Sequence, residues 1–412
     1  MDESAAVLER VFRAESGVVL GALLAQLHDF DLAEDAFQDA VASALERWPI
    51  DGVPRRPGAW LLTAARRKAL DRLRRRATRL DKQSALELET ELSSAQESAL
   101  DDEEIQDERL RLIFTCCHPA LGQHAQVALT LRTLGGLSTA EIARAFLVDE
   151  SAMARRLVRA KAKLRGERIA YRAPPLELVP ERREAVLSVI YLIFNEGYAA
   201  SAGDSLVRRE LASEAIRLGR VLAELLPGDT EVRGLLALML LHDARRDARV
   251  DASGVGVPLE EQDRGRWDHA QIREGRARVA ELGPIAESGP YALQARIASL
   301  HVAGEHFGQI DWRAIAALYD RLLALGRSPV IELNRAVAVA LADGPEAGLR
   351  LLEARDLAQS LADYPPYLGA RADLLRRAGR AFEARAAYQS ALTLARTAPE
   401  RAFLARRLRE LR

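Results

Sequence analysis

Apolar residues recur along this chain at the three-and-four spacing of a helix surface, and the pattern predicts an all-α fold. Over residues 4–28 the apolar side is supplied by Val7, Leu8, Val11, Phe12, Val19, Leu20, Leu23, Leu24 and Leu27. Asp31 stands where it can cap a second helix, with Leu32, Ala36, Ala40 and Leu45 facing inward. That register leaves Glu34, Asp35, Gln38 and Asp39 as an acidic and polar surface, either a solvated face or a docking face for a partner. Proline and glycine density makes residues 49–58 a loop. A third helix begins near Ala59, with Leu62, Ala65, Ala69 and Leu73 on one side and Trp60, Thr63, Arg67, Lys68, Asp71, Arg74 and Arg75 on the other. Arginines in that density suit backbone phosphates. Trp60 among them either stacks on an unpaired base or closes the helix start over the preceding loop.

Residues 137–165 read as two short helices joined by a tight turn. Ser138 followed by Glu141 is a capping box, so the first helix starts at Thr139 and runs to about Phe146. Leu147, Val148 and Asp149 form the turn, with Asp149 placed to cap a helix from Glu150. Met153, Leu157, Ala160 and Leu164 then make one buried stripe. Ser151, Arg155 and Arg159 fall on the opposite face, flanked by Arg156 and Lys163. A buried stripe fixes the angle of such a helix while guanidinium groups reach guanine edges and phosphates in the major groove. A solvated basic helix in an ordinary bundle is the plainer alternative.

Beyond the prolines of residues 173–180, long helical patterns resume over residues 181–249. Residues 254–270 break the pattern as a long loop that carries Glu260, Glu261, Asp263, Arg264, Trp267 and Asp268. Those carboxylates suit either acid–base chemistry or a packed ion-pair network; no nucleophile or metal set accompanies them, so the chain is not read as an enzyme. From about Gly289 the chain shows weak self-similarity. One unit centres on Gly379 with Ala384, Tyr388 and Ala391, an earlier one has Gly344 and Ala347 at the matching points, and a looser third spans residues 298–325. The interval is near the ~34-residue period of tetratricopeptide arrays, whose stacked pairs form a groove for proteins or merely bury one another.

With 412 residues, two to four domains are expected. The 49% hydrophobic and 29% charged composition is that of a soluble globular protein. A net charge of -1 hides segregation, because residues 84–108 are strongly acidic between two basic segments. That stretch is expected to be a partly helical linker, kept off phosphates by its charge or laid against the basic helix when DNA is absent. With no signal-peptide pattern and no membrane-length apolar run, a cytoplasmic location without membrane contact is expected. Cys116 and Cys117, with His118 and His124, offer a metal cluster at first sight. Adjacent thiols point in different directions on a helix, which favours a half-buried helix and no cofactor.

Taken in order, the AEDAFQDAVASALERW helix, AWLLTAARRKALDRLRRR, the acidic linker and a helix-turn-helix ending RLVRAKAKLR resemble the extracytoplasmic-function sigma factors of bacterial RNA polymerase. Within that family the chain is most similar to the subgroup with a long TPR-like C-terminal extension. The resemblance implies two small DNA-binding domains, region two over residues 1–76 and region four over 109–168, joined by a linker over 77–108. A helical extension over 181–288 and TPR-like repeats over 289–412 complete it. By the same resemblance Glu34, Asp35, Gln38 and Asp39 engage core polymerase. The loop over residues 50–58, with Trp60, Arg67, Lys68, Arg74 and Arg75, handles the melted minus-ten element. The helix carrying Ser151, Arg155, Arg156, Arg159 and Lys163 reads the minus-thirty-five duplex. Where the family usually has asparagine after arginine in the third helix, this chain has Arg66 and Arg67, and Ala152 replaces a common threonine. Implied partners are core polymerase, promoter DNA and a protein bound by the repeats. A one-component regulator, with the helix-turn-helix on an operator and the repeats sensing a ligand, is the rival reading; it leaves the Trp60 face without a task.

Overall fold

The computed structural model describes residues 3–80, 102–146, 148–167, 169, 171, 174, 179–198, 209–252, 254–395 and 398–411. Among them the regular elements are helices, with one isolated bridge between Val250 and Gly256. The chain divides into two compact units, Met1–Leu192 and Ile193–Arg412.

In the first unit, α1 (Glu3–Leu27), α2 (Phe30–Asp51) and α3 (Pro57–Leu80) pack on one another. Leu32, Ala33, Ala36, Phe37, Ala40, Ala44 and Trp48 form the buried face of α2. Leu45, expected inward, is 52% exposed: the inward positions advance by four from Leu32 to Ala44, and Leu45 is one residue further round. The cap also differs from expectation. Asp29 is the N-cap and accepts from the backbone N–H groups of Asp31 and Leu32 at 3.0 and 3.1 Å, so Asp31 lies inside the first turn with its carboxylate available to other partners. The expected loop is shorter, because α2 runs through Pro49 to Asp51 before Gly52 turns at φ 81°. A proline this close to the end forgoes one helical hydrogen bond, and the helix stops two residues later.

Four helices follow, α4 (Asp102–Cys116), α5 (Gln123–Thr133), α6 (Thr139–Ala145) and α7 (Glu150–Gly166). The linker expected over residues 77–108 therefore contributes its ends to α3 and α4, and residues 81–101 lie outside the described residues, as does Leu147 of the expected turn. α4 packs against α1, which joins the two basic segments into one body.

The second unit is built around α10 (Thr230–Asp243), which packs against α9 (Arg209–Leu225), α11 (His269–Ala280) and α12 (Pro290–His301); α8 (Val179–Tyr198) precedes these. Val232 and every residue of α10 from Leu235 to Leu241 are buried; a helix apolar all round belongs inside. At Gly234 a Cβ would sit 2.6 Å from the backbone nitrogen of Ala292 and 2.7 Å from its Cα. Gly234→Ala is therefore expected to force α12 away and cost about 1–3 kcal/mol, read as a lowered Tm; an unchanged Tm would refute this close approach.

The remaining helices are α13 (Trp312–Leu325), α14 (Pro329–Asp343), α15 (Pro345–Leu352), α16 (Arg355–Ser360), α17 (Pro365–Arg377), α18 (Ala381–Leu394) and α19 (Ala398–Glu410). α14 and α15 turn about Gly344 at φ 102°, and Gly379 at φ 74° separates α17 from α18. Leu349, Leu374, Ala384, Tyr388 and Ala391 share one core.

Candidate nucleic-acid interface

The capping box of α6 is closed in both directions. Ser138 N–H donates to the Glu141 carboxylate at 2.7 Å, and Glu141 N–H donates to Ser138 Oγ at 3.1 Å. This fixes where α6 begins and so how α7 leaves the turn. Asp149 occupies the N-cap of α7 in an extended conformation but makes no side-chain cap hydrogen bond, a departure from expectation. Met153, Leu157, Ala160 and Leu164 are buried, against α5 and α6. Ser151, Arg155, Arg159 and Lys163 are exposed and Arg156 is half-buried. Between them Val158 is 61% exposed. Periodicity alone does not reveal this exposure, because a lone valine beside a buried stripe looks like part of the core.

On α3, Arg67 and Arg74 are exposed and Lys68 is half-buried. Arg74 lies 4.0 Å from Asp71. The Arg75 side chain lies outside the described residues. Trp60 is half-buried and meets the buried Trp48 edge-on at 5.5 Å between ring centroids, so its ring closes the helix start while keeping part of its surface in solvent. Arg66, next to the exposed Arg67, is 3% exposed and donates to Gln26 at 3.2 Å. Burial lowers its basicity. The two arginines thus have separate surroundings: one belongs to the core and one faces out.

The acidic surface of α2 is occupied from within the unit. Glu34 pairs with Arg132 of α5 at 2.5 Å and with Lys161 of α7 at 3.1 Å. Asp31 takes Lys161 at 2.7 Å and Arg165 at 2.5 Å. Asp35 and Asp39 are bridged by Arg72 of α3, at 2.7 and 2.9 Å. Burial by itself would raise the Asp31 pKa, but Lys161 and Arg165 outweigh it and hold the carboxyl below its usual value. Burial likewise opposes the charge on Lys161, and the Asp31 and Glu34 carboxylates more than offset it. Gln38 remains exposed beside them. The sequence pattern does not point to Arg132, Lys161 or Arg165, since partners 98 to 134 residues apart leave no periodic trace.

Residues 11–79 match the model for sigma-70 region 2, and residues 111–164 match that for sigma-70 region 4. Residues 182–282 match a family of unknown function, DUF6596. An uncharacterized protein of Rhizobium meliloti (strain 1021) is 44% identical over 394 residues, covering 95% of this chain and 93% of its own length. The chain belongs to the sigma-70 family of RNA polymerase sigma factors. Its region order, with the DUF6596 segment following, is that of an extracytoplasmic-function sigma factor with a C-terminal extension. No solved structure matches it significantly. Sigma factors are non-enzymatic initiation factors that act on core polymerase and promoter DNA. Among the described residues no helix is long and apolar enough to cross a membrane.

In this sigma factor Cys116 and Cys117 are buried and free. Their sulfurs meet Thr133 Oγ1 at 3.1 Å and Thr130 Oγ1 at 3.6 Å. Burial raises both thiol pKa values, that of Cys117 to about 12, which suits packing between α4 and α5. The loop carboxylates are likewise engaged in structure. Glu260 pairs with Arg377 and Glu261 with Arg406 and Arg407, the latter two at 2.8 and 2.7 Å. Asp263 and Asp268 accept from the backbone N–H groups of Gly265 and Gln271, both at 2.9 Å. An ion-pair network ties this loop to α17 and α19.

Proposed function

We propose that this protein is an extracytoplasmic-function sigma factor, working in the cytoplasm, whose two DNA-binding regions grip one promoter in two states. Region 4 lies along the duplex, where Ser151, Arg155, Arg156, Arg159 and Lys163 reach base edges and phosphates and set register. Region 2 handles the opened strand through Trp60, Arg67, Lys68, Arg74 and Arg75; cations hold the backbone and the exposed edge of Trp60 meets an unstacked base. Because melting exposes the bases that this surface takes, binding favours the open state over the closed one. No covalent step falls to this chain.

The α2 face of Glu34, Asp35, Gln38 and Asp39 is proposed to dock on core polymerase. In the free protein that face is taken up by Arg72, Arg132 and Lys161, so docking exchanges internal ion pairs for external ones and separates α2 from α7. The C-terminal unit is proposed to serve regulation or protein docking through TPR-like pairs such as α14–α15 and α17–α18.

Two separately matched sigma regions, in order, each present a basic surface on a helix whose other side is buried, and this is the observation that supports the reading. Run-off transcription with purified core polymerase on a promoter library tests it. Promoter-specific transcripts that depend on this protein are expected, together with co-purification with core polymerase. Operator-type binding without polymerase would overturn it.

A further inference from the structure

The face of α11 carries His269, Ile272, Arg273 and Arg276 at i, i+3, i+4 and i+7, one continuous stripe. Together with Arg264 and Trp267 on the preceding loop and residues 302–305 after α12, it lines a cavity of about 410 Å³. Three guanidinium groups and one carboxylate, Glu305, line this space. Among the described residues neither Arg273 nor Arg276 has an ion-pair or hydrogen-bond partner.

Arg264 supplies an independent indication. Its guanidinium lies over the Trp267 ring, 4.4 Å from the centroid, and Nη1 donates to the Gly304 carbonyl at 2.5 Å. Nη2 is buried with no hydrogen-bond partner. A buried donor on a charged group costs free energy when left unmade, a cost that a small shift of the fork onto an acceptor held in the cavity would relieve. The stack on Trp267 and the bond to Gly304 fix the fork in place beforehand, which reduces the entropy cost when an anion arrives. Burial and the nearby charge of Arg245 depress its basicity, the electrostatic state that a bound anion relieves.

We propose that this cavity, lined by the DUF6596 segment and by the loop after α12, binds a small phosphorylated molecule through Arg264, Arg273 and Arg276. Guanidinium forks match phosphate oxygens in pairs. Arg273 and Arg276, three residues apart on one helix, are neighbours that can hold one phosphate group, and Arg264 meets the ligand from the loop. A volume near 400 Å³ holds a molecule of nucleotide or sugar-phosphate size. A ligand with a single carboxylate would leave two of the three cations unmatched, so a multiply charged phosphate is the better complement. The site's residues belong to a different unit from those proposed to face the promoter, so substitutions can test the two surfaces separately.

Pyrophosphate titrated calorimetrically into the full-length protein is the test, repeated with ATP and with a sugar bisphosphate. Saturable one-to-one binding is expected. Arg273→Glu and Arg276→Glu, both at exposed positions, are expected to raise Kd tenfold or more each with circular dichroism unchanged. The Arg155→Glu, Arg159→Glu double variant is expected to retain full affinity. Absence of saturable binding by all three probes overturns the proposal. So does binding that survives both α11 variants, or that vanishes in the double variant, since either places the phosphate on the promoter-facing arginines. Duplex DNA competing for the α11 arginines in that same double variant would replace a small ligand with nucleic acid and equally overturn it.

Discussion

Arg155→Glu combined with Arg159→Glu is expected to abolish promoter-specific binding by the holoenzyme while leaving the fold intact. Both side chains are exposed on α7, opposite the buried Met153, Leu157, Ala160 and Leu164, so the change touches neither core nor cap. Removing one arginine from a base edge or phosphate costs about 1–3 kcal/mol, which makes the pair worth roughly 10²–10⁴ in affinity. Charge reversal adds repulsion from the phosphates, and the dependence of log K on log salt should become shallower by about two counterions. Fluorescence anisotropy of labelled duplex at several salt concentrations checks both parts. Wild-type affinity with wild-type salt dependence would remove α7 from the DNA interface.

The second large effect is expected at Lys161. Its side chain is 14% exposed and sits between Asp31 and Glu34. Lys161→Glu places a third carboxylate in that cluster, leaving Asp31 to Arg165 and Glu34 to Arg132. Breaking a largely buried pair and adding like charge costs about 3–5 kcal/mol, concentrated where α7 meets α2. Faster hydrogen exchange in both helices is the expected signature. Because the same acidic face is proposed to dock on polymerase, the variant should also bind core polymerase more tightly. Lys161→Met separates charge from packing: it keeps the stem, removes attraction without adding repulsion, and should show a clearly smaller effect. Equal effects for the two variants would show that charge does not hold this interface. The lowered Asp31 pKa makes its stabilisation complete above the ordinary carboxylate value near 4, and that stabilisation disappears as pH falls through the folded value. The raised Lys161 pKa keeps its share complete below about 10.5, and it disappears only as pH rises through the folded value above that.

Sequence and structure agree on the capping box and the buried stripe of the helix-turn-helix, though not on the side-chain cap bond expected of Asp149. Ser138 and Glu141 find each other because the capping box closes within one turn, and the Met153 to Leu164 stripe is buried because 3.6 residues per turn put it on one side. Disagreements arise where two local solutions compete. Asp29 and Asp31 both precede an apolar run, and the structure takes Asp29 as the cap while Asp31 pairs with Lys161 and Arg165. Ala44 and Leu45 are adjacent, and hydrophobicity favours the leucine as the inward residue, although the helix register buries the alanine and leaves the leucine exposed. Arg66 illustrates the same limit, as an arginine in a basic run reads as surface until a glutamine 40 residues earlier meets it in the interior.

The amino-acid order by itself determined helical periodicity, the bihelical reading head, the basic faces of α3 and α7 and the sequence of sigma regions, because each depends on residues within a few turns of one another. Tertiary structure alone decided that the α2 carboxylates are taken up by α3, α5 and α7, and that Arg264, Arg273 and Arg276 line one open cavity. Such interactions join residues far apart in the chain, and their energy depends on distance and burial, neither of which any local pattern records.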